Sequence, residues 1–267
     1  MTEVATFAPG GYRYIRGRFQ YSGGVAAEPG FRIERVRFHR LVPLEAGFRR
    51  IEAHLEAAGR PMTAFCACEL RSPGQFSEEG FVAFNRAYVQ TLERWGIFRD
   101  EENPVARSNV CPEADPPAEP GFHAFCYTVA QNATNRSDGG VGAAVPDDRA
   151  GAGTFVIAGS GEAPEGPGEY RDRIIRLGDT SPDAMVEKAR YVLGAMESRM
   201  AALGFGWADA TATQVYTVHE IHGLFGPEIV ARGAAPDGIQ WTYAHPPVEG
   251  LAFEMDVRGL PVERVIA

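Results

Sequence analysis

The sequence predicts an α+β fold in two consecutive halves, each a mixed β-sheet covered on one face by two helices. Three observations predict it. Segments in which apolar residues alternate are interspersed with segments in which they recur at helical spacing. The element order ββ-α-β-α-ββ occurs twice, over roughly 130 residues each time. Helices on one face of a sheet bury the apolar surface of both kinds of element.

The two halves are separated by a segment with the composition of a loop. Residues 130–153, AQNATNRSDGGVGAAVPDDRAGAG, are rich in glycine, alanine, asparagine and aspartate and show little periodic hydrophobicity. We therefore expect one domain over residues 1–131 and a second over residues 132–267. Residues 132–153 are expected to form the linker between them.

Seven elements are predicted in the first half. Gly59 follows the first helix where a C-terminal cap belongs. The second helix carries an aromatic and aliphatic stripe that includes Phe81, Tyr88 and Trp95. The seven elements are strands at FQYSGGVAA and FRIERVRFHRLV, a helix over 44–58, a strand at MTAFCACEL, a helix over 78–95, and strands over 105–111 and 121–130.

The second half repeats this order, with one strand rather than two before its first helix. Ser181 and Pro182 form an N-cap and first-turn pair for its long helix. The predicted elements are a strand at GTFVIAGSGEA, that helix, a strand at ATATQVYTV, a shorter helical stretch near 219–232, and strands over 238–245 and 250–259.

Composition limits the kinds of partner. The net charge is −9, so a phosphate backbone would be repelled and no nucleic-acid partner is expected. No apolar run approaches the roughly 18 residues of a membrane span. The N-terminus lacks the basic and apolar regions of a signal peptide. We expect a soluble, cytoplasmic protein with no membrane partner.

Neither a metal nor a cofactor is expected. Of the four cysteines, Cys66 and Cys68 alternate on one predicted strand and would share a face, and no C-x2-C pair occurs. The HEIH segment has two histidines three apart and no third ligand. The single lysine, Lys188, lies mid-helix among polar neighbours, which disfavours Schiff-base chemistry.

Several motifs resemble those of the RidA/YjgF family. That family carries F-x-x-x-N-x-x-Y on its second helix and then P-A-R-S at the start of a strand. The matching residues here are Phe81, Asn85 and Tyr88, followed by Pro104 and, after one extra residue, ARS at 106–108. FQYSGG is similar to the S-G-Q strand end of the family, and TSPDAMVEKARYVLGAMESRMAALG to its first helix. The resemblance covers about three quarters of the chain.

The resemblance implies a tandem of two RidA-like domains with a chorismate mutase-like fold. Family members assemble as trimers through their sheets, with ligand sites in the clefts between subunits, so self-association as a trimer or pseudo-hexamer is expected. The best-known members hydrolyse enamine or imine intermediates to keto acids. Their P-A-R-S arginine holds the substrate carboxylate, which corresponds to Arg107 here. Backbone groups at the S-G strand end, here Ser22 and Gly23, and a glutamate on the last strand place a water.

Neither half carries a complete set of these residues. In VARSNVC, Arg107, Asn109 and Cys111 would share one face of a strand. The first half offers Ala124 or Cys126 where the glutamate is expected. The second half lacks the arginine but supplies Glu254. Two explanations stay open: a composite site with Arg107 from one domain and Glu254 from another, or independent decay of each half.

The predicted site has a carboxylate clamp, a water-positioning acid and polar helpers. Arg107 would clamp the carboxylate, because a guanidinium stays charged and matches carboxylate geometry. Glu254 would position water, and Asn109 or Tyr14 would polarise the substrate. Either Tyr12 or Tyr14 would correspond to a family tyrosine near the N-terminus, and the spacing does not choose between them. The predicted catalytic residues are Arg107, Glu254 and Asn109, and the predicted substrate-binding residues are Tyr14, Ser22, Gly23 and Cys111.

The predicted function is hydrolytic deamination of a small carboxylate-bearing imine or enamine, of the RidA or aminomuconate type. Its expected partner is a small anionic metabolite. Two alternatives remain open. One is a chorismatase-like hydrolase or isomerase, since chorismatases resemble this fold. The other is a non-catalytic small-acid-binding protein or oligomeric scaffold, which the division of arginine and glutamate between the halves would favour.

Overall fold

A computed structural model describes residues 3–17, 19–131, 153–164, 166 and 169–267. The mixed α+β fold is confirmed: the described residues form two β-sheets and four α-helices. Residues 132–152, which hold nearly all of the expected linker, lie outside the described residues.

The elements follow the sequence periodicity closely. Ser181 caps the longest helix by accepting a hydrogen bond from Ala184 N at 3.4 Å. Gly59 lies just after the first helix with φ +64°, a conformation that favours glycine. The helices are α1 (Leu44–Ala57), α2 (Glu78–Arg94), α3 (Pro182–Leu203) and the short α4 (His222–Leu224), which a π-helical turn continues over Phe225–Ile229.

Thirteen strands are present in the described part of the chain. They are β1 (Val4–Phe7), β2 (Tyr12–Ile15), β3 (Gly24–Ala27), β4 (Phe31–Pro43), β5 (Phe65–Arg71), β6 (Ala106–Pro112), β7 (Gly121–Ala130), β8 (Phe155–Gly161), β9 (Ala212–Tyr216), β10 (Gln240–Thr242), β11 (Ala244–His245), β12 (Glu254–Gly259) and β13 (Glu263–Ile266). The predicted strand over 238–245 is divided into β10 and β11, and the one predicted from residue 250 begins at Glu254.

The strand order shows an internal repeat. The six-stranded sheet runs β11-β6-β5-β7-β4-β13, and the seven-stranded sheet runs β1-β2-β3-β8-β12-β9-β10. In the first, β4 pairs antiparallel with β7, β7 antiparallel with β5, and β5 parallel with β6. In the second, β8, β12, β9 and β10 pair in the same order and the same directions. The repeated order of elements thus corresponds to a repeated topology.

Each sheet also includes strands from the other half of the sequence. Strand β3 pairs antiparallel with β8, which attaches the N-terminal β1–β3 to the seven-stranded sheet. The C-terminal β13 pairs parallel with β4 in the six-stranded sheet. The sheets therefore do not separate between residues 131 and 132, and the division into two domains there stays a prediction.

Helices cover the outer face of each sheet. Against the six-stranded sheet, α1 contributes Phe48 and Ile51, and α2 contributes Tyr88 and Leu92, to one buried cluster. Against the seven-stranded sheet, α3 contributes a buried row that includes Val192, Met196 and Met200. None of the described helices has the length and apolarity needed to cross a membrane.

The inner faces of the two sheets pack against each other. Small side chains from both sheets, including Ala67, Ala106 and Ala158, share a buried cluster. Cys66 belongs to this inner cluster, whereas Cys68 packs among the helices on the outer face. The expectation that the two cysteines share a face is wrong, because the register of β5 against β7 shifts between Phe65 and Ala67. All four thiols are free and buried.

A buried ionic cluster lies in this interlayer. Arg35 donates two hydrogen bonds to the Glu69 carboxylate, at 2.6 and 2.9 Å. Arg71 approaches the same carboxylate at 3.8 Å. Arg258, from the other sheet, also acts on it and helps to lower its pKa. Although burial by itself raises the pKa of Glu69, Arg35 and the other arginines bring it well below its ordinary value. Glu69 is therefore the shared anion of arginines from both sheets.

Replacing Glu69 with glutamine should destabilise the fold strongly. The variant removes the buried anion of Arg35, which keeps only an ion pair with the more exposed Glu263 at 3.2 Å, and this loss costs about 3–5 kcal/mol of the free energy of unfolding. Urea denaturation at pH 7 measures this. Glu45→Gln is the control, because Glu45 forms an exposed pair with Arg49 one helical turn away and should change stability little. Equal stabilities of the two variants would contradict the assignment.

Candidate active site

One cavity of about 1130 Å³ is lined by residues of both sheets. It holds four of the predicted site residues: Arg107, Asn109, Gly23 and Glu254. Tyr14, Ser22 and Cys111 are not among its lining residues. Other lining side chains discussed below are those of Arg16, Tyr21, Phe81, Tyr170, Arg173 and Arg190.

Arg107 is a buried guanidinium with no anion. It is 3 % exposed and donates through Nη2 to Asn85 Oδ1, while its Nη1 is buried without a hydrogen-bond partner. No ion pair among the described residues includes it. Its charge lies near four aromatic rings, those of Tyr21, Phe81, Phe84 and Tyr88, at 4.9 to 5.7 Å from their centroids. A buried charge without a partner is costly, so this environment suits a bound anion.

Helix α2 explains why the F-x-x-x-N-x-x-Y pattern accompanies the arginine. Phe81, Asn85 and Tyr88 are spaced four and three residues apart, so they share one face of the helix. That face lies against Arg107. Asn85 Nδ2 donates to Phe81 O at 2.7 Å, which turns Oδ1 towards the guanidinium. Tyr88 hydroxyl lies 3.2 Å from Cys68 Sγ. The pattern therefore positions Arg107.

Asn109 supplies a second unsatisfied donor beside Arg107. The two residues are two apart on β6 and both line the cavity. Asn109 Oδ1 accepts a hydrogen bond from Ser72 Oγ at 2.9 Å, and its Nδ2 is buried without a partner. Since buried donors are normally paired, Arg107 Nη1 and Asn109 Nδ2 together define a place for acceptor atoms of a ligand.

Glu254 lies at the start of β12 with its carboxyl group buried. Burial raises its pKa well above the ordinary value, and the nearby carboxyls of Asp256 and Glu162 raise it further. Arg71 and Arg107 act in the opposite direction but more weakly. Its Oε1 lies so close to Gly159 that any side chain at position 159 would overlap it. The geometry thus holds a carboxyl group that favours its protonated form.

A buried ion pair fixes the backbone just before Glu254. Lys188 Nζ donates to Glu162 Oε1 at 3.1 Å and to Ile175 O at 2.6 Å. Glu162 also accepts from Ala252 N at 2.6 Å and Phe253 N at 3.1 Å. Lys188 was expected to lie among polar neighbours on α3. The structure differs, because its side chain points inward and is fully buried. Sequence periodicity alone did not indicate this pairing.

The arginine and the glutamate therefore line the same cavity. Arg107 comes from the six-stranded sheet, and Glu254 comes from the seven-stranded sheet. Arg107 lowers the pKa of Glu254 although burial dominates, so the two groups are close enough to interact. Of the two explanations left open by the sequence, this juxtaposition favours a composite site.

The N-terminal tyrosines are placed differently from the prediction. Tyr14 donates its hydroxyl to Glu102 Oε1 at 2.5 Å, away from the cavity. Tyr12 is fully buried and donates to Phe65 O. Both belong to strand β2, whose side chains pack into the interlayer. The tyrosines that do line the cavity are Tyr21, Tyr170 and Tyr191.

The S-G strand end contributes shape rather than backbone donors. Ser22 N donates to Val105 O at 2.9 Å, and Gly23 N donates to Ile15 O at 3.1 Å. Gly23 O accepts from Ala158 N at 3.2 Å. These groups are occupied by the protein, so Gly23 lines the cavity but has no backbone N–H to offer a ligand.

Cys111 is buried and outside the cavity lining. Burial raises the pKa of its thiol to about 12, and the Glu254 carboxylate contributes in the same direction. Such a thiol stays neutral at physiological pH and is a poor nucleophile. Its predicted role in substrate binding is not supported by this placement.

Sequence reasoning missed Tyr21, Tyr170 and Arg173. Tyr21 directly precedes the Ser-Gly-Gly strand end, and this proximity was the only signal available for it. Tyr170 and Arg173 lie in a loop and 3₁₀ turn before α3, where no periodicity exists to indicate an orientation. Only the folded arrangement brings this loop to the cavity.

The raised pKa of Glu254 predicts a pH-dependent effect of Glu254→Gln on stability. The unfolded chain ionises at its ordinary pKa, whereas the folded protein retains the proton to higher pH. Folding stability attributable to this group therefore falls as pH rises above the unfolded pKa. Glu254→Gln should be more stable than wild type at pH 8, with the difference shrinking towards pH 4. Urea titrations at both pH values measure this, and a pH-independent difference would contradict it.

The chain is similar to known proteins over nearly its whole length. Residues 4–264 match the profile of the family described as 2-aminomuconate deaminase CnbZ. A curated relative, 2-amino-5-chloromuconate deaminase from Comamonas testosteroni, is 52% identical over 266 residues, covering 100% of both chains.

Three solved structures are similar at low identity. A chorismatase shares 12% identity over 91% of this chain and 78% of its own, with a TM-score of 0.46. E. coli TdcF with bound serine is 15% identical in sequence, over 48% of this chain and 94% of its own, with a TM-score of 0.30. A cyanuric acid hydrolase from A. caulinodans is 14% identical in sequence, over 86% of this chain and 66% of its own, with a TM-score of 0.38. All three scores are below 0.5, so none indicates a ligand or mechanism for this chain.

The family profile corrects the assignment made from motifs. The RidA/YjgF assignment is wrong, because nearly the whole chain matches a different family profile. The shared patterns around Arg107 are short and could not distinguish the two families. With this match and a full-length relative at 52% identity, the chain belongs to the 2-aminomuconate deaminase CnbZ family.

Proposed function

We propose that this protein is a hydrolytic deaminase of a 2-aminomuconate. The observation that carries the proposal is the juxtaposition in one cavity of Arg107, a buried cation without an anion, and Glu254, a carboxyl with a raised pKa. Family membership and the activity in the name of the C. testosteroni relative support the substrate class.

The substrate chemistry matches what the cavity offers. A 2-aminomuconate is a six-carbon conjugated chain with a carboxylate at each end and an amino group on the carbon next to one of them. It is an enamine that can become an iminium ion by taking a proton on carbon. Water can then add to the carbon that bears nitrogen. The overall reaction converts substrate and water into a 2-oxo dicarboxylate and ammonia.

Arg107 and Asn109 bind the carboxylate next to the amino group. Arg107 Nη1 and Asn109 Nδ2 are the two buried donors without partners, and a carboxylate has two oxygens to accept from them. A charge-assisted hydrogen bond of this kind is stronger than a neutral one. The surrounding aromatic rings exclude water and hold the guanidinium in one orientation. This contact places the reacting carbon at a fixed position in the cavity.

Glu254 moves the protons. In its protonated form it donates to a carbon of the conjugated chain, which creates the iminium ion. The resulting carboxylate then accepts a proton from the water that attacks the carbon bearing nitrogen, and Glu254 is restored. Transfer of the new hydroxyl proton to nitrogen breaks the C–N bond and releases ammonia. A raised pKa suits a group that must act first as acid and then as base near neutral pH.

Several broader expectations belong to the same proposal. The repeated strand order supports a description of the chain as two RidA-like, chorismate mutase-like units that have exchanged terminal strands. Assembly as a trimer or pseudo-hexamer and a cytoplasmic location stay predictions. Sedimentation analysis of the purified chain would decide the first. No observation favours chorismatase-like chemistry, and a non-catalytic binder would show ligand binding without ammonia release.

Arg107→Gln should impair the capture of substrate. Loss of one charge-assisted contact corresponds to about 1.5–3 kcal/mol, or roughly a 10- to 100-fold lower kcat/KM. Ammonia release from 2-aminomuconate measures it. Arg107→Lys should retain only part of the wild-type kcat/KM, because lysine keeps the charge but lacks the planar fork of the guanidinium group. Arg40→Gln, which removes an exposed arginine, is the control and should retain activity. Wild-type kinetics in Arg107→Gln would overturn the assignment.

Glu254→Gln should slow chemistry more than binding. Removing a general acid–base group lowers kcat by about 10²- to 10⁴-fold, whereas KM should change little, since the carboxylate contacts remain. Steady-state kinetics separate the two parameters. Glu249→Gln removes an exposed carboxylate five residues earlier and serves as the control. Retention of wild-type kcat in Glu254→Gln would exclude Glu254 as the proton carrier.

A further inference from the structure

We propose that Arg173 binds the second carboxylate of the substrate, at the end of the chain remote from the amino group. This inference deepens the proposed function and rests on it, because it assumes a substrate with a carboxylate at each end. The site is the part of the cavity around Arg173 and Tyr170, and its ligand class is the terminal carboxylate of an unsaturated six-carbon dicarboxylate.

The arginines of the cavity differ in whether the protein already neutralises them. Arg16 pairs with Glu3 at 2.9 Å and with Glu102 at 3.0 Å. Arg190 pairs with Glu228 at 2.6 Å. These two guanidinium groups have anions and are not available in the same way to a ligand.

Arg173 has no anion among the described residues. It donates through Nη1 to Pro164 O, and its charge lies 5.3 Å from the centre of the Tyr170 ring. Its Nε is buried without a hydrogen-bond partner. No ion pair in the described part of the chain includes it. In the described cavity wall, Arg173, which is half-buried, shares three features with the more deeply buried Arg107: an aromatic neighbour, one neutral acceptor, and a buried N–H without a partner.

A continuous aromatic wall connects the two arginines. Phe81 lies 5.7 Å from the Arg107 charge and packs, together with Tyr170, against one buried apolar cluster. Tyr21 stacks near Arg107 and, after burial, is the next cause of the raised pKa of Tyr170. In space, the wall therefore begins at Arg107, continues through the rings of Phe81 and Tyr21 to that of Tyr170, and ends at Arg173. A flat conjugated chain can lie along such rings with a carboxylate at each cationic end.

This arrangement would select dicarboxylates. A ligand with one carboxylate satisfies Arg107 but leaves the buried N–H of Arg173 unpaired, and unpaired buried groups penalise the wrong ligand. A ligand with two satisfies both. The preference for two carboxylates should therefore depend on Arg173, whereas binding of the first carboxylate should depend on Arg107.

Two unreactive ligands isolate the second carboxylate. trans,trans-Muconate and sorbate share the same six-carbon diene, and sorbate has a methyl group where muconate has its second carboxylate. Isothermal titration of the full chain gives the ratio of their dissociation constants. We expect wild type to prefer muconate by about 10-fold or more, the value of one charge-assisted contact. In Arg173→Gln the ratio should fall below roughly threefold, with sorbate affinity nearly unchanged.

The matched control removes an equal charge from the same cavity. Arg190→Gln should retain the wild-type ratio, because Arg190 is already paired with Glu228. Arg107→Gln should weaken both ligands. An unchanged ratio in Arg173→Gln, an equal loss in Arg190→Gln, or no preference in wild type would each overturn the inference. If Arg173→Gln does not fold, an unchanged ratio in Arg173→Lys, which lacks the planar fork, overturns it instead.

The outcome is separable from that of the proposed function. Binding of muconate and sorbate needs no turnover, whereas deamination is measured by ammonia release from 2-aminomuconate. If the protein deaminates 2-aminomuconate but Arg173→Gln leaves the ratio of the muconate and sorbate dissociation constants unchanged, the proposed function stands and this inference fails. If the ratio depends on Arg173 but no ammonia is released from 2-aminomuconate, the dicarboxylate site stands and the proposed deaminase function fails.

Discussion

Glu69 is the anion on which the packing of the two sheets depends. Its carboxylate lies in the interlayer and neutralises Arg35 of its own sheet, and it acts also on Arg258 of the other sheet. Buried guanidinium groups tolerate such a position only when an acceptor of opposite charge satisfies them. The sheets can therefore face each other across a partly ionic layer, and the cavity that they line depends on this packing.

The same rule makes the cavity a candidate site. Arg35 and Glu69 are paired in the interlayer, whereas Arg107 is buried with only an amide oxygen to accept from it. A fold can retain an unneutralised cation when a ligand supplies the missing charge. Glu254 presents the complementary condition, because neighbouring acids and burial favour its neutral form. One cavity thus holds a cation that lacks an anion and a carboxyl that retains its proton.

A connection between the two sheets lies beside this cavity. Strand β3 joins the N-terminal segment to the seven-stranded sheet, and Ser22 N, just before it, donates to Val105 O at the start of the six-stranded sheet's β6. This connection crosses between the sheets beside Arg107. The Lys188–Glu162 pair then fixes the backbone that leads into Glu254. The site consequently belongs to neither half of the sequence by itself.

The sequence by itself determined most of the elements, although not β1, β2 or β13, and the chemistry of the arginine. Apolar periodicity gave α1, α2 and α3 to within a residue or so at each end, and β7 at its observed bounds. The spacing of Phe81, Asn85 and Tyr88 indicated a helix face associated with Arg107, and this face lies against it. These are local properties, since helical and strand spacing follow from backbone geometry over a few residues.

Only the tertiary structure decided which residues share the cavity. The sequence pattern favoured Tyr14 and Cys111 as binding residues. In the structure, however, the Tyr14 hydroxyl donates to Glu102, and the Cys111 thiol does not line the cavity. Lys188 looked like a surface residue, and Arg173 had no periodicity to orient it. Strand exchange, the bulge in β5 and the approach of the loop before α3 are set by contacts between residues distant in sequence. Such contacts depend on the packing of the whole chain, which local spacing does not encode.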